Sequence, residues 1–226
     1  MKNTILWIIC VNLLSVNLGF AQNSVKLEQE LTQLLEGFDG RVGLYVKHLE
    51  SGEEVSYQAD SIFPTASIVK IPILLGVMDR IDRGELNFHQ PLIYRDSLSY
   101  GGAGLMQFFK DSTQTDLRTL MALMLSYSDN TTSLWLQQLA GGGQSINQVL
   151  DNFGFSHTRV NSRTPGREQD RAKFGWGQTT PKEMAELLSR IYLQTLGSPE
   201  SCALMYKLLS NTYYFDYALS SIPIGI

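Results

Sequence analysis

Leu27, Leu31, Leu34 and Leu35 recur at helical spacing and predict an amphipathic helix from about Ser24 to Glu36. Gly37 to Gly40 ends it. Val42, Leu44 and Val46 then alternate with Gly43, Tyr45 and Lys47, which is a strand pattern. Ser51-Gly52 turns the chain, and Val55 and Tyr57 mark a returning strand. A long apolar run follows: Ile71, Ile73, Leu74, Leu75, Val77, Met78 and Ile81 cover nearly the whole surface of a helix that ends near Gly84. A helix apolar on every side belongs in a core.

Glu85 to Asp116 reads mostly as loop, with Tyr94, Tyr100, Gly101, Gly102 and Gly104. Leu117 to Leu125 reads as a second buried helix, broken at Ser126-Tyr127-Ser128-Asp129-Asn130. A third, with Leu134, Trp135, Leu136 and Leu139, reaches Ala140. Gly141-Gly142-Gly143 is expected to stop it, and Ser145 to cap another through Asn152. Asn161 to Gln178 has no apolar period, holds Arg163, Arg167 and Arg171 with Arg159 just before it, and reads as a long ordered loop. Thr180-Pro181-Lys182-Glu183 is a capping box with proline at the first helical position. Ser198-Pro199-Glu200 opens a last helix through Leu209. Tyr213 to Ile226 is aromatic and then apolar.

Composition narrows the classes. The chain has 226 residues, 43% hydrophobic and 18% charged, which suits one domain with a real core. A formal charge of −4 argues against nucleic acid as a main partner. Lys2, the apolar run Ile5 to Leu18 and the small-x-small site Gly19-Phe20-Ala21 read as an export leader cleaved after Ala21. That run is short and carries two asparagines, which disfavours a membrane anchor. Residues 22–226 then form one domain, with Cys202 as its sole cysteine and no internal disulfide. His48, His89 and His157 are scattered, and no Gly-x-Ser-x-Gly elbow exists, so neither a histidine-based triad nor a metal site is supported.

Ser67 and Lys70 head the apolar run, three residues apart, so one helical turn brings their side chains together. Burial lowers the pKa of an ammonium, and a neutral amine can take the proton of a serine hydroxyl. Ser67 in a first helical turn also meets free N–H groups and a helix dipole that favour a developing oxyanion. Ser-x-x-Lys alone is weak evidence, since a chain of this size holds about one by chance. Ser128-Asp129-Asn130, taken alone, could equally be a capped turn. Tyr100 is a candidate wall of a binding cleft, or a plain surface tyrosine.

Together, Ser-x-x-Lys on a buried helix and Ser-Asp-Asn 61 residues later resemble the signature of the class A β-lactamases and their penicillin-binding relatives. Gly142-Gly143, the arginine-bearing loop and Thr179-Thr180-Pro181 extend that resemblance over the mature chain. It implies an α/β (α+β) fold, with an antiparallel sheet packed against a mostly helical lobe. It also implies roles. Ser67 attacks the lactam carbonyl, Lys70 helps remove its proton, and Ser128 passes a proton to the leaving nitrogen. Asn130 holds the substrate's side-chain amide, Asp129 orients its neighbours, and the Ser67 N–H supplies one oxyanion donor. No cofactor is implied. The expected partner is a small β-lactam or peptidoglycan-like peptide, bound by a periplasmic or secreted monomer with no membrane anchor after leader cleavage.

Two departures qualify the resemblance. The family carries a glutamate in the loop after Val160 that activates the deacylating water, and here Thr164-Pro165 falls near that place. Glu168 is the candidate base, with Asp170 the other nearby carboxylate. The alternative is a solvated Glu168 paired with Arg167 or Arg171. The family's Lys-Thr/Ser-Gly strand is not found, so the C-terminal sheet strands are expected to be missing and apolar faces of the hairpin and first helix to lack partners. Three readings stand: a β-lactamase-like serine hydrolase, a penicillin-binding or D-Ala-D-Ala peptidase-like former of a slow acyl-enzyme, or an inactive truncated member.

Overall fold

The computed structural model describes residues 26–214 and 218–221. The leader assigned to residues 1–21 lies outside the described residues, as does most of the stretch after Tyr214. The described residues are mixed α/β, and the chain divides into two compact units, residues 1–61 with 180–185 and residues 62–179 with 186–226.

In the first unit, residues 26–35 form helix α1. Strands β1 (Leu44–Lys47) and β2 (Glu54–Tyr57) pair antiparallel, with Leu44 opposite Tyr57 and Val46 opposite Val55. Lys182 N–H donates to Ala59 O at 3.1 Å, joining the start of the late helix to this unit. Leu27, Leu34, Phe38, Val46, Leu49 and Tyr57 are exposed.

The second unit is built on helix α2 (Lys70–Asp82), preceded by a 3-10 turn, Ala66–Val69. Pro72 sits in the first turn of α2, where its missing N–H would have had no intrahelical partner. Helices α3 (Leu117–Ser126), α4 (Asn130–Leu139), α5 (Gly142–Asn152) and α8 (Pro199–Leu209) pack against α2. Ile73, Leu74, Val77 and Met78 of α2 are buried with Leu120, Met121, Leu136, Ile146 and Met205. The carboxylate of Asp82 closes the far end of α2. It accepts from Ser198 N (3.0 Å), Ser198 Oγ (2.8 Å) and Ser201 Oγ (2.5 Å) at the start of α8.

Several segments differ from the sequence expectation. The stretch 85–116 contains a hairpin, β4 (Pro91–Ile93) against β5 (Gln114–Asp116). Three-residue strands with a polar partner carry too little alternation to be read. The arginine-bearing loop holds a short helix, α6 (Glu168–Phe174), polar nearly all round and so without an apolar stripe. Its ends belong to a three-stranded antiparallel sheet in the order β3 (Phe63–Pro64), β7 (Gly177–Thr179), β6 (Arg159–Val160). Gly142 and Gly143 begin α5 instead of stopping α4. Left-handed Gly141 is the cap, and Ser145 Oγ donates back to Gly141 O at 3.0 Å. The capping box matches: α7 (Pro181–Tyr192) starts with Glu183 N–H donating to Thr180 Oγ1 at 3.1 Å.

Candidate active site

Local backbone places the nucleophile candidate. The residues of a 3-10 turn eclipse at i and i+3. That turn brings Lys70 Nζ within 3.2 Å of Ser67 Oγ. Ser67 is exposed, whereas Lys70 is buried. Ala66, just before Ser67, is held at φ +44°. The Ser67 N–H lies in the first turn, where no intrahelical acceptor is available.

The second group arrives from the α3–α4 junction. Lys70 Nζ donates to Ser128 O (2.5 Å), Ser128 Oγ (2.8 Å) and Asn130 Oδ1 (3.1 Å). Ser128 is left-handed at φ +53°, and Asp129 follows as the N-cap of α4. Asp129 is buried and acts as an anchor. One oxygen caps Thr132 N at 2.8 Å, and the other accepts from Leu105 N (2.6 Å) and Met106 N (2.7 Å). At Gly104, with φ +108°, a side chain would collide with the Asp129 carboxylate, so the loop approaches this closely only as glycine.

Burial drives the Lys70 pKa down from 10.5 to about 8, and the Asp129 carboxylate pulls the other way. An amine with that pKa, within reach of two hydroxyls, can accept a proton from one and return it to the other.

Asn130 Nδ2 donates to Gly101 O (3.3 Å), and its backbone N–H to Ala103 O (3.0 Å). Thr131 grips Tyr100 from both sides: Tyr100 N–H donates to Thr131 Oγ1, which donates to Tyr100 O, both at 3.0 Å. The Tyr100 ring meets Trp176 edge-on, 5.4 Å between centroids. Trp176 precedes Gly177, whose carbonyl accepts from Thr65 N at 3.0 Å, two residues before Ser67. Contacts therefore run unbroken from Ser67 through Lys70, Asn130, Thr131, Tyr100 and Trp176 back to the Ser67 turn.

Glu168 stands apart from this ring. It is exposed at the start of α6 and accepts from Gly166 N at 3.1 Å. Arg167 is engaged elsewhere, with Asp170 Oδ2 (2.9 Å), Asn161 Oδ1 (2.7 Å) and Gln178 Oε1 (2.9 Å). No sequence motif marks Thr131 or Trp176 as part of this ring. The aromatic set between Gly175 and Gly177 was the one visible signal, and nothing marked Thr131.

A serine, a buried amine and a second serine on one proton path are competent for acyl transfer. The chain belongs to the beta-lactamase enzyme family, whose pattern it matches over residues 26–226. Beta-lactamase SME-1 of Serratia marcescens is 25% identical over 227 residues, which is 96% of this chain and 74% of SME-1. The solved beta-lactamase of Sphaerobacter thermophilus matches with a TM-score of 0.78 at 25% identity, over 88% of this chain and 74% of that one. A PBP-A variant solved as an acyl-enzyme complex with penicillin G matches with a TM-score of 0.75 at 28% identity, over 84% and 70% of the two chains. The chain spans as little as 59% of the length of other curated relatives.

Proposed function

We propose that this protein opens β-lactam rings by forming an acyl-enzyme on Ser67. The observation that carries the reading is Lys70 Nζ at hydrogen-bond distance from both Ser67 Oγ and Ser128 Oγ. Neutral Lys70 takes the Ser67 proton as Oγ attacks the lactam carbonyl. The oxyanion forms against the Ser67 N–H. The carbon–nitrogen bond breaks as Ser128 protonates the nitrogen, and Lys70 returns a proton to Ser128. Asn130 holds the amide of the acyl side chain, and Tyr100 walls the cleft. The leader pattern of residues 1–21 supports a periplasmic or secreted placement.

Turnover depends on a base for the water that hydrolyses the acyl-enzyme. Glu168 takes that task only with the 161–178 loop turned inward from where it stands, exposed and accepting from Gly166 N–H. A second reading rests on its carboxylate being bound at Gly166: the acyl-enzyme then persists, as in a penicillin-binding or D-Ala-D-Ala peptidase-like protein.

The test is the intact mass of the leader-free chain after exposure to benzylpenicillin, beside Ser67→Ala, with the remaining drug assayed. A Ser67-dependent adduct with drug loss supports hydrolysis. An adduct with the drug otherwise intact supports the slow acyl-enzyme. An absence of both adduct and drug loss sinks the proposal.

A further inference from the structure

We infer that Arg163 is a recognition site for a carboxylate carried on the acyl side chain of the substrate, with Tyr100 and Trp176 as its aromatic support. The inference rests on the reading of Ser67 and Asn130 above, because that reading sets where the side chain lies.

The backbone holds Arg163 out deliberately. Ser162 and Thr164 on either side are buried, each 5% exposed. The Ser162 carbonyl accepts from Gln137 Nε2 (2.6 Å) and Thr164 Oγ1 (3.1 Å), and Ser162 N–H donates to Trp176 O (2.9 Å). Between these anchors Arg163 alone is exposed, at φ +50°. A non-glycine residue in the left-handed region is strained, and such strain persists where neighbours over-determine it and clusters at ligand sites.

The guanidinium is also uncommitted. Arg159 is paired with Asp151 at 2.5 Å and bonded to Phe155 O and Thr158 O, and Arg167 is fully engaged. Among the described residues Arg163 makes no salt bridge or hydrogen bond. Its contact is with the Tyr100 ring, 5.8 Å from the centroid. A cation–π contact uses none of the guanidinium N–H groups as hydrogen-bond donors to an acceptor atom, and their fork matches a carboxylate.

Position supplies the ligand's path. Thr131, which grips Tyr100, adjoins Asn130. Leu134 and Gln138 follow Thr131 by three and seven residues on the same face of α4. With Gln137, Gly141, Gly142 and Arg163 they line a cavity of about 490 Å³. Thr131 and Tyr100 thus link Asn130 to the guanidinium, which itself lines the cavity.

The experiment measures equilibrium binding to Ser67→Ala, which cannot acylate, through tryptophan fluorescence, with Trp176 the reporter beside Tyr100 and Trp135 buried in α4. Two ligand pairs differ only in a side-chain carboxylate: carboxybenzylpenicillin against benzylpenicillin, and N-malonyl- against N-acetyl-D-alanyl-D-alanine. These arms separate a lactam from a peptide source. In at least one pair the carboxylated ligand binds about tenfold tighter. That ratio shrinks with added salt and falls to near one with Arg163→Ala and with Arg163→Asn, which suits a left-handed backbone. Equal affinities in the Ser67→Ala chain, no binding in either pair, or a ratio that survives both substitutions overturns the inference. A loss shared equally by both members of a pair, with the ratio kept, assigns Arg163 a merely structural role and also overturns it. The salt dependence needs no Arg163 variant: a ratio that salt leaves unchanged overturns the inference even where a variant fails to fold. Failure of the Ser67 adduct is read separately, by mass, on the unsubstituted chain.

Discussion

Lys70 Nζ lies 2.8 Å from Ser128 Oγ, although 58 residues separate the two along the chain. The contact turns a local Ser67–Lys70 pair into a path for a proton between two hydroxyls.

The first expectation concerns pH. With its pKa brought down to about 8 by burial, Lys70 is mostly protonated at pH 7 and becomes a base as pH rises through 8. The rate of penicillin acylation should rise over that range. Lys70→Ala should lower it by about 10²–10⁴-fold. Stopped-flow acylation across pH 6 to 9.5 checks both, and a flat profile would remove Lys70 as the base.

Stability should follow the same group. The unfolded lysine titrates near 10.5 and the folded one near 8. Between those values the unfolded state keeps a proton that the folded state has lost. Stability from this group therefore rises with pH across that window and is lowest below it. Urea unfolding of the parent and of Lys70→Met should show the gap between them moving in the parent's favour from pH 7.5 to 10.

Asp129→Ala should destabilise the protein by about 3 kcal/mol. It removes the cap of α4 and strands the N–H groups of Leu105 and Met106. Asn130 and Tyr100 sit on the turns so released, so substrate binding should weaken as well. Urea unfolding measures the first effect and the KM for a chromogenic cephalosporin the second.

Gly177→Ala tests the closeness of β7 to the Ser67 turn. An added Cβ would come within 2.6 Å of Val69 Cγ2 and 2.7 Å of Arg159 O. A backbone carbonyl cannot yield cheaply, so the strand must shift, at a cost of about 1–3 kcal/mol. Acylation should fall more than the lost stability alone predicts, because Thr65 and Ser67 move with the strand.

Asp82→Ala should cost about 2 kcal/mol by undoing the α2–α8 junction. Burial opposes the Asp82 charge, but the hydrogen bonds from Ser198 and Ser201 outweigh it and hold the carboxyl below its usual 3.8. Its contribution is therefore present above pH 4 and lost as pH falls through the lowered value. Melting curves of parent and variant should converge in acid.

Glu168→Gln should change the lifetime of the acyl-enzyme less than twofold, since the carboxylate is exposed and bound to Gly166 N–H. Time-resolved intact mass reads it. A lifetime lengthened many-fold would instead make Glu168 the deacylating base.

What the sequence determined by itself is short-range. The apolar run after Ser67 marks a core helix because burial on all sides leaves no polar stripe. Ser67 and Lys70 meet because three residues make one turn. Thr180 and Ser198 announce their helices because a cap is chemistry within four residues. Polar or very short segments escaped such reading: α6 has no apolar stripe, and the three-residue strands β4 and β5 are too short to show a period.

Tertiary structure decided everything that needed two distant segments. It chose Ser128 as the second acceptor of Lys70, buried the amine enough to lower its pKa, and set Tyr100 against Trp176 and Arg163. It also paired β7 with both β3 and β6, which no spacing along the chain encodes. The physical reason is one of range. Propensity and periodicity act over one or two turns, whereas desolvation of Lys70 and the left-handed backbone at Ser128 and Arg163 exist only once the core has closed around them.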